Sequence, residues 1–348
     1  MTYKNLLSCL ILLFILPSCT SRSPNIVAVC EEDKVGNNVI KWETPSRIKG
    51  KVKVYASTNP DRIPPRNPIA IANISDHRLT IVTNDPVRRY YYLMVFDNRY
   101  RVKIAGRKID VLGIQNLYDI GGYKLKEGKN VKWGKLYRAG EIGNLNHYAL
   151  NKLKNTGIRT IVNLDNTFSE RKDDFLKNSG FNVVSVPLHT IGNQIYKDLQ
   201  QKEIINNDTM YQASDYINRE YISKHQSDYK KIFEILLNKT NYPVMFHCSS
   251  DMKYIAVVSS LVLAALGVNA QSIMENYRLI NSDSTISPRF AYYFPAKSRK
   301  TTISTYEEFL NNFKKQIEKG YGSMNVYLEQ EIELTKDDMV QLKELLLE

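Results

Sequence analysis

Cysteine, histidine and tryptophan are scarce in this chain, whose 348 residues include 4, 5 and 2 of them, respectively. The histidines are scattered and no two cysteines have the spacing of a zinc site, so we predict neither a metal centre nor another cofactor. Cys30 and Cys248 are the two cysteines of the predicted folded part. They fall in different predicted domains, so a disulfide between them is not favoured. Internal repeats and low-complexity tracts are also absent, which excludes a repeat architecture.

A long hydrophobic run is missing as well. The apolar residues Leu6–Leu16 have the length of a signal-peptide core and are too few to span a bilayer comfortably. The segment 255–266 is apolar on nearly every face, yet it is also too short to cross a membrane. It is therefore predicted to be a central core helix.

The segment LPSC, which ends at Cys19, resembles the lipobox of bacterial lipoproteins, in which small residues precede a cysteine that is cut and acylated. The resemblance implies a signal peptide over residues 1–18, lipidation of Cys19 and a linker over residues 19–25. It also implies an exported protein that is lipid-anchored in the bacterial cell envelope, in the periplasm or at the outer membrane. The alternative is an ordinary secretory signal with a chance cysteine. We favour the lipoprotein, because the apolar run stops at Cys19 and a polar segment follows.

Acidic residues are fewer than basic residues: the chain has 36 Asp and Glu and 48 Lys and Arg, which gives a net charge of +12. Such a charge attracts phosphates, anionic lipids or acidic glycans. Nucleic acid is a poor partner for an exported lipoprotein, so we predict no nucleic-acid binding. Most of the excess charge is expected to lie on the solvated surface.

Residues 26–110 are predicted to form β-structure, because short apolar or alternating runs are separated by turn signals. The seven runs are NIVAVC, NVIKWE, GKVKVYAS, PIAIANI, RLTIVTN, RYYYLMVF and YRVKIAG. Their number and spacing predict an all-β sandwich of the immunoglobulin or fibronectin type III kind. In RYYYLMVF, a period of two places Tyr90, Tyr92 and Met94 on one face.

From residue 111 onward the periodicity changes, and predicted strands alternate with predicted helices. Strands are expected at 158–164, 182–188 and 243–248. Helices are expected at 146–157, 170–180, 213–239 with a break near His225, 255–266, 270–281, 305–322, 324–332 and 335–348. This alternation predicts an α/β domain over residues 111–348, with a parallel-rich central sheet flanked by helices.

One stretch of this domain, VMFHCSSDMKYIAVVSS at residues 244–260, carries candidate chemistry. An apolar strand runs into His247 and Cys248, a short polar turn follows, and an apolar helix comes next. This order holds a cysteine in front of a helix N-terminus, where backbone N–H groups and the helix dipole favour an anion. The turn nevertheless carries Asp251, a negative charge where an anion would sit.

Four segments of the second domain resemble a bacterial branch of the cysteine-dependent tyrosine and dual-specificity phosphatases. They are NLYDIGGYKLKEGKNVKWGKLYRAGEI (116–142), GIRTIVNLDN (157–166), VMFHCSS (244–250) and the helical tail 321–348. The resemblance implies a phosphatase-like fold whose loop wraps a phosphate dianion in backbone N–H groups. It also implies a thiolate that attacks phosphorus, an arginine that holds the equatorial oxygens, and a loop aspartate that protonates the leaving group.

Aligned with that family, the chain keeps the nucleophile position at Cys248 and departs from the pattern after it. The degenerate phosphate loop consists of His247, Ser249, Ser250, Asp251, Met252, Lys253 and Tyr254. Asp251 replaces a glycine, Lys253 replaces the aspartate and Tyr254 replaces the arginine. His247 is interpreted as a residue that orients the loop.

Departures extend beyond the loop. Tyr118 and Asp165 stand where the family motifs have arginines, and Asn163 stands where the strand motif has aspartate. Asp119 and Arg138 are retained and are kept among the candidate binding residues, although what survives looks structural. Arg138 is as suited to ordering a loop as to contacting a ligand. The retained pair Gly121-Gly122 suits a tight turn.

The leading hypothesis is therefore a catalytically impaired pseudophosphatase that acts in binding or scaffolding. Its partner would be a phosphorylated or anionic ligand or another protein. A first alternative is an active phosphatase that hydrolyses phosphotyrosine or other phosphomonoesters through Cys248. In that case Lys253 or Arg289 would replace the missing arginine and Asp251 would act as the acid.

Two further alternatives remain open. One is a different cysteine hydrolase, in which Cys248 pairs with His189 or His247, although no local signature supports it. The other is an adhesion or assembly module led by the β-sandwich, with the second domain as an additional binding surface.

Overall fold

The computed structural model describes residues 24–33, 35–165, 170–188, 207–249, 252–282 and 299–348, with isolated positions between 195 and 202. The predicted signal peptide 1–18 and the predicted anchor Cys19 lie outside the described residues. So do His189, Ser250, Asp251 and Arg289. Within the part of the chain that the structure describes, no helix is long and apolar enough to cross a membrane.

The first part of the chain forms seven strands: β1 Val27–Glu32, β2 Asn38–Glu43, β3 Lys51–Ser57, β4 Ala70–Asn73, β5 Arg78–Ile81, β6 Tyr91–Phe96 and β7 Tyr100–Ala105. Each of the seven predicted runs overlaps one of them, and β1 continues two residues beyond its run, to Glu32. They build two antiparallel sheets, with the strand orders β1–β2–β5 and β4–β3–β6–β7.

Alternating side chains fill the space between these two sheets. Tyr92 and Met94 of β6 contact the same hydrophobic core as Trp42 of β2 and Val54 of β3, and Tyr90 packs against it. The shared face predicted for the two tyrosines and the methionine is therefore confirmed. On the opposite face of β6, Tyr91 is buried against Trp133 of the second part of the chain.

The second part contains a five-stranded sheet, made of β8 Tyr118–Asp119, β9 Leu136–Ala139, β10 Thr160–Asn163, β11 Asn182–Ser185 and β12 Val244–His247. The strand order is β11–β10–β12–β9–β8, and every neighbouring pair is parallel except β8 with β9. The three predicted strands and the parallel-rich sheet are confirmed. The two short strands β8 and β9 were not predicted.

The helices are α1 His147–Lys154, α2 Glu170–Asn178, α3 Asn207–Ser223, α4 Gln226–Leu237, α5 Met252–Ala265, α6 Ala270–Ser282, α7 Arg299–Tyr321, α8 Met324–Gln330 and α9 Lys336–Leu346. The predicted break near His225 is confirmed, since it separates α3 from α4. Helix α5 begins at Met252, three residues before the predicted start. Its side chains are buried on nearly all sides, as expected of a central core helix.

Buried polar contacts join the two parts of the chain. Arg89, which precedes β6, forms a salt bridge with Asp119 at 2.7 Å. Its guanidinium lies over the rings of Tyr91 and Tyr137, 5.0 and 5.6 Å from their centroids. The two tyrosine hydroxyls are 3.1 Å apart. Because these groups are removed from water and pair with one another, they hold the two parts in one arrangement.

Candidate active-site loop

Three parallel strands of the second sheet end at the same edge. The register pairs Asn163 of β10 with His247 of β12, and His247 with Ala139 of β9. Residues just beyond these strand ends, Asp165 and Cys248 among them, are therefore brought together. The carboxyl ends of the strands are the edge at which open α/β sheets bind ligands.

The carboxylate of Asp165 occupies the start of the loop that follows β12. It accepts hydrogen bonds from the backbone N–H of Ser249, at 2.9 Å from each oxygen, and from the Ser249 hydroxyl at 2.7 Å. The Cys248 thiol donates to Asp165 Oδ1 at 3.2 Å, and His247 Nε2 lies 3.7 Å from Oδ2. The carboxylate thus takes the donors that would otherwise face a bound oxyanion.

This arrangement opposes attack by the cysteine. Cys248 is fully buried, and its Sγ lies 3.2 Å from the carboxylate of Asp165. A thiolate would lie beside a second negative charge, which repels it strongly in a site shielded from water. An incoming phosphate would have to displace Asp165 and the hydrogen bonds that hold it.

Residues 109–348, more than half of the chain, match a family model described as the tyrosine phosphatase family. The chain belongs to the tyrosine phosphatase family. A Cupriavidus necator protein, named as a tyrosine-protein phosphatase, is 23% identical over 238 residues, which cover 66% of this chain and 85% of the relative.

Two solved structures were also matched. The core catalytic domain of the PP-IP phosphatase Siw14 from S. cerevisiae has a TM-score of 0.32 and 14% identity, covering 63% of this chain and 98% of that one. A Shewanella putrefaciens protein named as a DUF442 phosphatase has a TM-score of 0.31 and 11% identity, covering 59% and 92%. Scores of this size do not establish a common fold, so the family assignment rests on the sequence match.

In this member of the tyrosine phosphatase family, Asn163 holds Asp165 in place. Its side-chain oxygen accepts from the backbone N–H of Asp165 at 3.0 Å, and its Nδ2 donates to Asp173 of α2 at 3.1 Å. Asp173 was missed by the sequence reasoning. Nothing in the segment ERKDDF distinguishes it from Asp174, and only the packing of α2 brings it to the strand end.

Tyr254, at the position of the family arginine, is a core residue. It is 2% exposed and meets the ring of Tyr221 edge-on, with centroids 5.4 Å apart. Lys253, at the position of the family aspartate, is 5% exposed, and its Nζ lies 5.5 Å from the centroid of Phe309. The phenol of Tyr254 lacks the charged, two-pronged donor of an arginine. The ammonium of Lys253 is not the carboxylic acid with which the family protonates the leaving group.

His247 and Arg138 lie next to the loop and make structural contacts. His247 Nδ1 is 2.6 Å from the carbonyl oxygen of Gly140, a contact that orients a loop residue. The Arg138 guanidinium donates to the carbonyl of Asn276 in α6 at 3.1 Å and lies 4.4 Å from the centroid of Tyr118. The retained arginine therefore ties α6 to the sheet.

Asp119 is not grouped with the loop. Its carboxylate accepts from the backbone N–H groups of Gly121 and Gly134, each at 2.7 Å, and pairs with Arg89 at the boundary between the two parts of the chain. Its contacts are those of a structural residue. Gly122 follows at a φ of +75°, and a Cβ there would lie 2.1 Å from the Trp133 ring, so the glycine pair allows a close approach as well as a turn.

The two described cysteines are free thiols. Cys30 and Cys248 are both buried and are not joined by a disulfide. Burial raises the pKa of the Cys30 thiol to about 12, so this thiol is neutral at physiological pH.

Of the predicted loop, Ser250 and Asp251 lie outside the described residues, and Met252 begins α5. Among the described residues, no group of three or more His, Cys, Asp or Glu side chains could hold a metal ion.

Proposed function

We propose that this member of the tyrosine phosphatase family is a pseudophosphatase, which has lost phosphoryl transfer and acts by binding. The observation that carries the proposal is the carboxylate of Asp165, which accepts hydrogen bonds from both Ser249 and the Cys248 thiol. It uses donors that a phosphate would need and places a negative charge beside the nucleophile position.

The replacement of the arginine supports the same conclusion. Removing a single donor that stabilises a developing oxyanion lowers kcat by about 10²–10³. Here Tyr254 replaces the guanidinium, Lys253 replaces the acid and Asp165 obstructs the loop, so several contributions are lost together. The residual turnover is expected to be too small to serve as the biological activity.

The cellular setting is part of the proposal. The protein is an exported lipoprotein of the bacterial cell envelope, with a signal peptide over residues 1–18 and a lipid anchor at Cys19, in the periplasm or at the outer membrane. The two antiparallel N-terminal sheets support an immunoglobulin- or fibronectin-like sandwich. The sandwich and the phosphatase-like domain act as one binding unit for an anionic ligand or a protein partner.

Hydrolysis of an aryl phosphate tests the loss of activity. The wild type, a Cys248→Ser variant and a Cys30→Ser variant are compared, the last being the matched control at the other buried thiol. We expect all three to release product at the same background rate. Turnover by the wild type and by Cys30→Ser that disappears only in Cys248→Ser would overturn the proposal and identify an active phosphatase.

A further inference from the structure

A cleft of about 480 Å³ lies away from the candidate active-site loop. Residues 24–30 and residues 100–105 of the N-terminal part line two of its sides. Trp133, Lys124 and Glu348 of the second part close it. None of the candidate loop residues contributes to its lining.

Two strand edges face this cleft. β1 pairs in a sheet with β2 alone, and β7 pairs in a sheet with β6 alone. In the described part of the chain, the backbone pairing between β1 and β7 is limited to one parallel bridge, which joins Cys30 to Gly106. The strands therefore run in the same direction, meet at that bridge, and leave the cleft between their opposite ends.

The backbone of β7 is oriented toward the open side. The carbonyl oxygen of Lys103 accepts from Trp133 Nε1 at 3.3 Å, so the backbone groups of Lys103 point away from β6. Because backbone direction alternates along a strand, the groups of Arg101 point the same way. An open edge of N–H and C=O groups is a template on which an extended peptide adds as a further strand.

Basic side chains dominate the lining of the cleft. They are Arg101, Lys103, Arg107 and Lys124, against one acidic side chain, that of Glu348, which already pairs with Lys103. The guanidinium of Arg107 contacts the rings of Tyr123 and Trp133, 4.2 and 4.8 Å from their centroids.

Two of these bases are available to a ligand. Arg101 and Lys124 are exposed, and neither makes a salt bridge with a described carboxylate. Their positive charges favour an acidic partner.

We propose that the cleft binds an extended acidic peptide segment of a partner protein, which adds as a strand along the open edge of β7. Main-chain hydrogen bonds to Arg101 and to the Lys103 N–H provide the affinity, since the Lys103 carbonyl already accepts from Trp133. Contacts of acidic side chains with Arg101 and Lys124 provide the preference for charge. This site does not depend on the proposed loss of phosphatase activity.

Three synthetic peptides test the site by calorimetric titration of the full chain. One alternates glutamate and valine over ten residues, the second replaces each glutamate with lysine, and the third replaces each valine with proline, which removes backbone donors. We expect the first peptide to bind at least 10-fold more tightly than either of the others. We also expect it to slow amide hydrogen exchange at Arg101 and Lys103.

A pair of double variants tests the location. Arg101→Glu with Lys124→Glu should weaken binding of the glutamate–valine peptide at least 10-fold. Arg62→Glu with Arg66→Glu makes the same change in net charge at exposed residues outside the cleft and should leave binding unchanged.

Four outcomes would overturn the proposal. The first is that the glutamate–valine peptide does not bind. The second is that the proline peptide binds as tightly as the glutamate–valine peptide, which would indicate a general polyanion surface. The third is that the control variant weakens binding as much as the cleft variant does. The fourth is a concentration-dependent dimer whose Arg101 and Lys103 amides are protected without peptide, since a second copy of the chain would then occupy the edge.

Discussion

Two buried aspartates, Asp119 and Asp165, have opposite surroundings. Asp119 is fully buried and is bound by the guanidinium of Arg89 together with two backbone N–H groups. Asp165 is 6% exposed and is bound by the thiol of Cys248 and by the backbone and hydroxyl of Ser249. Burial alone does not distinguish them.

Their partners distinguish their roles. A carboxylate paired with a buried cation joins two elements of the fold, and removal of either partner leaves an uncompensated buried charge. A carboxylate held by neutral donors at the end of a parallel strand takes the place of an anion that those donors could bind. The contacts of Asp119 are therefore structural, whereas we propose that Asp165 governs whether the loop can accept an oxyanion.

The largest effect is expected from Asp119→Ala. The change leaves the Arg89 guanidinium buried without its carboxylate, and breaking a buried ion pair costs about 3–5 kcal/mol of the free energy of unfolding. Urea unfolding followed by tryptophan fluorescence measures the loss. Asp61→Ala is the control, because it removes the partly exposed pair with Lys135, worth about 0–1 kcal/mol. Equal losses in the two variants would contradict a structural role for Asp119.

An intermediate effect is expected at Gly122, close to Asp119 in the chain. In Gly122→Ala the new Cβ would lie 2.1 Å from the Trp133 ring. Gly128→Ala is a matched control, since Gly128 also has a positive φ, +88°, but a Cβ added there would have no atom within 4 Å. We expect Gly122→Ala to lower the free energy of unfolding by about 1–3 kcal/mol more than the control, which is the usual cost of overpacking. Identical unfolding midpoints would show that the Trp133 ring moves aside freely.

A smaller effect, in binding and not in stability, is expected from Asp165→Ala. The change removes the negative charge and releases the donors of Ser249, so the loop should gain affinity for tungstate of about tenfold, or ~1.4 kcal/mol. Isothermal titration calorimetry measures the gain. Asp174→Ala removes one negative charge from an exposed position of the same helix, outside the contacts of Asn163 and Asp165, and it should leave tungstate binding unchanged. A gain in Asp174→Ala, or none in Asp165→Ala, would refute the view that Asp165 blocks the loop.

Much of the secondary structure could be predicted from the sequence. The seven N-terminal strands, the strand before Cys248 and the apolar helix α5 all have periodicities that depend on near neighbours in the chain. The helix break at His225 was also predicted from the local sequence. The replacement of the arginine by Tyr254 was predicted by comparing the loop with the family motif. The start of α5 was predicted three residues too late, although Asp251, directly before Met252, is of a residue type preferred at helix N-caps.

The sequence by itself determined where most strands and helices form and which residue types of the family motif are replaced, because both depend on local order along the chain. Only the tertiary structure decided that Asp165 lies against Cys248, that Asp119 pairs with Arg89, and that β1 and β7 leave a cleft. These contacts join residues far apart in sequence, and the register of β10 with β12 and the packing of the two parts of the chain determine which strand ends and edges meet.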